Sequence, residues 1–172
     1  REVEQVQSLL DIISKRGAAE SLVNELKASF FLKTQNFNKA ADSYRQAINI
    51  RPAISNLYGL AYTYYLIGDL PESERELLKV RQLNEEYLPA LHLLANVHLL
   101  QGRIKSAIES YTALIKKAPH SFYLSNLSIA LLLDRQFEKA LEYAQKALDS
   151  DPQNINWMLN LADIKQILGT LE

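Results

Sequence analysis

Along nearly the whole chain, apolar side chains return every three or four positions and polar residues fill the positions between them. That spacing belongs to helices with one buried face, and the two-residue alternation of strands persists nowhere. Short punctuations separate the periodic stretches: Arg16-Gly17, Gln35-Asn36, Arg51-Pro52, Gly68-Asp69, Gln101-Gly102, Asp134-Arg135, Asp151-Pro152 and Gly169. Glycine accepts the left-handed conformation at a helix end, and proline stops one helix or opens the next. The pattern predicts helices over about 20–34, 37–50, 54–67, 71–83, 87–101, 104–117, 121–133 and 137–149, and one more from Ile155. An opening amphipathic segment, Val3 to Lys15, carries Val3, Val6, Leu10 and Ile13 on one side. Loops this short make neighbouring helices antiparallel.

The pattern also repeats. Small residues recur at Ala40, Ser73, Ala107 and Ala140, at steps of 33, 34 and 33. Larger ones recur at Phe37, Leu70, Ile104 and Phe137 with the same steps. Pro52, Pro119 and Pro152 close three of the units, and Glu85 stands where a fourth proline would. A helix–turn–helix unit of this length cannot bury its own apolar face and must stack on its neighbours. The chain divides into a leading helix (1–20), four repeats (21–53, 54–87, 88–120 and 121–154) and the first helix of a fifth (155–172). The leading helix is either the second helix of an earlier repeat or a cap on the stack.

These residues resemble the tetratricopeptide repeat family. Repeat four carries Leu124, Leu127, Ser128, Leu131, Phe137, Ala140, Ala144, Ala147 and Pro152. Repeat two carries Leu57, Leu60, Ala61, Tyr64 and Gly68, and repeat three Leu91, Leu94, Ala95, Gly102, Ala107, Tyr111 and Pro119. Repeat one carries Ala28, Phe31, Phe37, Ala40, Tyr44, Ala47 and Pro52. Repeat two departs at Ser73, Leu77, Val80 and Glu85, and repeat one at Lys27. The resemblance implies an all-α fold: a right-handed superhelical solenoid of antiparallel helix pairs whose first helices line a concave groove. It also implies a non-catalytic module that binds a partner protein or peptide in that groove.

Composition narrows the classes that remain. The formal net charge of −1 argues against a surface built to neutralise nucleic-acid phosphates. With no cysteine, disulfides and thiolate zinc sites are impossible. No apolar run is long enough to span a bilayer. His92 and His98 stand six residues apart and share no helix face, so they are no metal pair. No phosphate-binding loop, dinucleotide fingerprint or nucleophilic set is present. The expectation is a protein without cofactor, metal or catalytic residues. The acidic run Glu72, Glu74 and Glu76 reads as solvated surface, His98 and Tyr64 as packing residues, and Trp157 as a cover between the last two repeats. Arg1 rather than Met opens the chain. It is therefore expected to be a piece of a larger protein, with any signal or anchor outside it. Its localisation, cytoplasm or bacterial periplasm, stays open. The repeats look bacterial in style.

By the family's geometry, the groove is lined in repeat two by Tyr58, Gly59, Tyr62 and Tyr65, and in repeat three by His92, Leu93 and Asn96. Repeat four adds Phe122, Ser125, Asn126 and Ile129, and the last helix Asn160. The family's carboxylate-binding clamp falls on Glu25, Ser29, Gly59, Pro89 and Leu93, none of them cationic, with Lys33 the one cation nearby, which argues against that partner class. Tyr58, Tyr62 and Tyr65 form a candidate aromatic strip, with inter-repeat packing as the alternative. Asn96, Asn126 and Asn160 form a candidate ladder for the backbone of an extended segment, similar to that of some family members, because an Asn amide both donates and accepts. The alternative is hydrogen bonding between adjacent helices. Beyond partner binding, the stack either self-associates through its ends as an assembly scaffold or serves as the regulatory arm of an enzyme or transcription regulator outside it.

Overall fold

The structure, a computed structural model, describes residues 2–15 and 19–169. The Arg16-Gly17 punctuation lies outside the described residues. Among those described, every regular element is a helix: α1 (Glu2–Lys15), α2 (Glu20–Lys33), α3 (Phe37–Ile50), α4 (Ile54–Ile67), α5 (Leu70–Leu83), α6 (Leu88–Leu100), α7 (Ile104–Lys117), α8 (Ser121–Leu133), α9 (Phe137–Ser150) and α10 (Ile155–Gly169). The predicted helices are present, each end within two residues of its expected place. The chain forms two compact units, Arg1–Ala90 and Leu91–Glu172.

The turn inside each pair shows why the period holds. Gln35, Gly68, Gly102 and Arg135 all have positive φ, between 58° and 87°. They stand at the same 33, 34 and 33 steps as the small residues. At Gly68 the N–H bonds to the Tyr65 carbonyl and the next N–H, of Asp69, reaches back to Tyr64, which closes the last turn of α4. The left-handed conformation is natural to glycine at 68 and 102, while Gln35 and Arg135 adopt it at a cost. Asp69 then caps α5 by accepting from the Glu72 N–H.

In the first unit α1 packs on α2, α2 on α3, α3 on α4 and α4 on α5. Ala28, Ala41, Tyr44, Leu60 and Tyr64 make a buried cluster between α2, α3 and α4. Ala40 and Ala61 are wholly buried, and their small side chains let the helix backbones approach. Ser73, in the register of Ala40, is buried too and donates a 2.8 Å hydrogen bond to the Ala61 carbonyl. Of α1, Leu10 is buried while Leu9, Ile12 and Ile13 are exposed, so Ile13 does not share the buried side expected of it.

Glu76 corrects the sequence reading. The residue is 2% exposed rather than solvated. It is held by Lys79 Nζ at 2.8 and 2.9 Å and by Arg75. A buried carboxylate needs such partners, and the cations one residue before and three after it on α5 supply them.

In the second unit α7 packs on α8, α8 on α9, and α10 on both α8 and α9. Ala107, Tyr111, Leu114, Leu127, Ala140, Ala144, Ala147 and Ile164 form its interior. Ala162, which shares the register of the buried Ala61 and Ala95, is exposed.

Candidate partner-binding surface

On α4, residues four and three apart share a face. Tyr58, Tyr62 and Tyr65 therefore stand in one line, with ring centroids 6.4 Å and 6.3 Å apart and planes within 12° and 17° of parallel. Tyr87 meets Tyr58 edge-on at 5.6 Å. None of the three belongs to the buried cluster: Tyr62 is 36% exposed, and Tyr58 and Tyr65 are half-buried. Tyr64, one position along, is the packing tyrosine; it is buried and its hydroxyl accepts from Arg45 at 2.6 Å. Burial, with Tyr62 beside it, pushes the Tyr65 phenol up, so that ring stays uncharged at neutral pH. Because the centroid separation bounds the gap between planes, no third ring fits between two neighbours. The strip is a ledge rather than a row of slots.

Three positions expected in the groove are buried instead: Gly59, Leu93 and Ser125. Gly59 lies under the Tyr44 ring. Ser125 accepts a 3.1 Å hydrogen bond from Asn160 Nδ2 and gives its space to the interior of α8 and α10. The register that places a residue on the first-helix face is coarse by one position, and a one-residue step on a helix turns a side chain by about 100°.

In the second unit His92, Asn96 and Asn126 are half-buried and bonded together. Asn126 Nδ2 meets His92 Nε2 at 3.1 Å and Asn96 Oδ1 at 3.4 Å. Asn96 Nδ2 meets the same Nε2 at 3.4 Å, and the Tyr111 hydroxyl donates to Asn96 Oδ1. Asn160 gives both amide protons to Ser125 and Ser128, the latter at 2.8 Å. The three asparagines thus hydrogen-bond between helices, which leaves Oδ1 as the remaining group of Asn126 and of Asn160. The spacing signals this: Asn126 and Asn160 follow His92, not Asn96, at steps of 34.

Aromatic rings enclose His92. Phe122 and Tyr123 lie 5.1 Å from it and Tyr111 6.3 Å. Phe122, 42% exposed, meets Trp157 edge-on at 5.8 Å. Trp157 itself is half-buried with Nε1 turned inward. Ile129 and Asn160 line an open cleft of about 580 Å³ between α8 and α10, with Leu132, Asp163, Gln166 and Ile167. Among the described residues no group of His, Asp or Glu is arranged to hold a metal ion, and no helix is long and apolar enough to cross a membrane.

Burial lowers the His92 pKa to about 4. An unfolded histidine titrates near 6.5. Between those values the unfolded chain binds a proton that the folded chain refuses, so stability falls as pH drops through that window. Solvent screening of a half-exposed ring limits the loss to about 1–2 kcal/mol. Thermal melts at pH 7 and pH 4.5 should show this extra acid loss in the parent chain and not in His92→Gln.

Comparison with known proteins agrees with this architecture. Two family models, each described as tetratricopeptide repeat, match residues 23–54 and 92–155. Mouse tetratricopeptide repeat protein 21A is 26% identical over 102 residues, which are 59% of this chain and 8% of that protein. Among solved structures, MamA (41-end) from Desulfovibrio magneticus RS-1 superposes with a TM-score of 0.82 at 21% identity, covering 88% of this chain and 87% of that one. YrrB, a protein of this repeat class with an unusual peptide-binding site, gives 0.79 at 19% identity, with 95% and 84% covered. TTC0263, a protein of Thermus thermophilus, gives 0.76 at 18%, with 92% and 88% covered.

Proposed function

The chain belongs to the tetratricopeptide repeat family, and from that premise we propose that the first-helix face of each unit binds an extended segment of a partner protein, without catalysis. The observation that carries this reading is the tyrosine ledge of α4. A helix in a repeat array needs Leu57, Leu60, Ala61 and Tyr64 for its packing. Nothing in that packing calls for three further tyrosines in line on the outer face. Tyrosine offers large contact area at low entropic cost, and it is enriched where interfaces concentrate their energy. The peptide-binding site named for YrrB supports the same use of the fold. In the second unit Phe122, Ile129 and the cleft beside Asn160 supply the corresponding surface.

Photo-crosslinking in cells from probes at Tyr62 and at Asn126 tests the reading. One partner captured at both positions supports it; capture of none defeats it. Tyr62→Ala is expected to weaken binding of that partner about ten-fold or more while shifting the melting temperature by less than about 2 °C. Equal losses of binding and stability would place Tyr62 in the core.

A second reading has its own observation. Leu9, Ile12 and Ile13 on α1, and Ile155, Met158, Leu159 and Ile167 on α10, are exposed. Exposed apolar faces of this kind favour self-association. Light scattering that shows mass rising with concentration supports it, and a constant monomer mass counts against it.

A further inference from the structure

The hydrogen bonds around His92 determine which of its nitrogens carries the proton. Asn96 and Asn126 both direct Nδ2, a group that only donates, at Nε2. With the amides placed this way Nε2 is the acceptor, and the neutral ring carries its proton at Nδ1. The orientation of both amides is pinned in turn. Asn96 Oδ1 accepts from the Tyr111 hydroxyl and from Asn126, so neither amide can flip alone without breaking the set. Nδ1 is not among the fully buried polar atoms that lack a partner, so its N–H is not shut inside the core.

We propose that His92 is the fixed hydrogen-bond donor of the second unit's face, and that its Nδ1–H holds an uncharged acceptor, a main-chain carbonyl of the partner segment, rather than a carboxylate or phosphate. This rests on the peptide-binding reading above. Three observations support it. The groups packed against the ring are Asn96 of α6, Tyr111 of α7, and Phe122, Tyr123 and Asn126 of α8; their only titratable groups are two phenols, uncharged at neutral pH. The amide protons at Nε2 oppose a second proton there, and burial acts in the same direction, so the ring stays neutral and brings no charge to attract an anion. Beside it, Asn126 keeps its carbonyl oxygen as an acceptor. A neutral donor with a neutral acceptor matches a peptide group, which presents one C=O and one N–H.

The test has two parts. Nitrogen-15 spectra of the histidine-labelled chain at pH 7 should show His92 protonated at Nδ1 and bare at Nε2; the reverse tautomer overturns the proposal. Then a random pool of N-acetylated, C-amidated decapeptides is panned over the chain and the retained sequences are measured individually. In His92→Gln the side-chain oxygen takes the place of Nε2 as acceptor and the Nδ1 donor is lost. It should melt close to the parent and bind retained peptides about 5- to 10-fold more weakly. In His92→Asn the donor side is kept and the acceptor lost, so it should melt lower and keep more of the binding. Free-acid forms of the same peptides should bind as the amides do. Unchanged binding in His92→Gln, or a gain of about ten-fold for free acids, overturns the assignment of His92 and leaves the peptide-binding reading standing. Retention of no peptide by the parent chain overturns both.

Discussion

Gly59→Ala is expected to lower the stability of the chain by about 2 kcal/mol, although the same change in an exposed helix interior would raise it by up to about 1 kcal/mol. The reason is contact. A Cβ built on Gly59 would lie 2.6 Å from Cε1 of Tyr44 and 2.7 Å from its hydroxyl oxygen. The ring has little room to withdraw. It sits in the cluster of Ala28, Ala41, Leu60 and Tyr64, and Ser29 holds its hydroxyl. For a chain of this size the melting temperature should fall by roughly 4–8 °C. Tyr44→Leu in the same background removes the clashing ring atoms, and a double-mutant cycle should then show strong coupling between the two positions. Independent, additive losses would mean that the helices separate enough to take the methyl group and that the contact is unimportant.

Asn56→Leu is expected to act in the opposite direction, raising stability by about 2 kcal/mol and the melting temperature by roughly 4–8 °C. Asn56 is 1% exposed, and neither Oδ1 nor Nδ2 has a partner. An amide buried in that way costs several times what a made hydrogen bond returns. Leucine has the same branched outline with no polar atoms. The register supports the exchange, since the matching positions of the other repeats are Val23, Ala90, Tyr123 and Trp157. A melting temperature that stays level or drops would show that the amide is paired in solution, and the unpaired geometry would then be the wrong description of that site.

Both expectations come from positions whose own residue type does not show where they lie. The register placed Gly59 on the partner-binding face. The packing shows the reverse, a backbone kept bare so that a tyrosine from α3 can lie on it. Asn56 is polar itself, so only the register it shares with Val23 and Ala90 marks it as interior. Glu76 belongs with them. Three acidic residues at alternate positions look solvated, and only the closeness of Lys79 and Arg75 lets one of them go inside. For the asparagines, residue type announced a capacity to donate and accept. It did not announce that the neighbouring helix would take up most of that capacity.

What the sequence determined by itself is the part of the fold governed by local rules. Helix periodicity set the elements, glycine and proline set their ends, and the 33- and 34-residue steps set the pairing of small and large residues along the stack. Each of these depends on residues close together in the chain. The tertiary structure decided which of several chemically similar side chains face outward. Tyr62 and Tyr64 are two residues apart and alike in chemistry, yet one forms a ledge and the other joins the core. It also decided the surroundings of His92, where two amides are directed at Nε2, one of them 34 residues away. A hydrogen bond of that kind depends on distance and direction in space, and no local pattern of hydrophobic and polar residues encodes either.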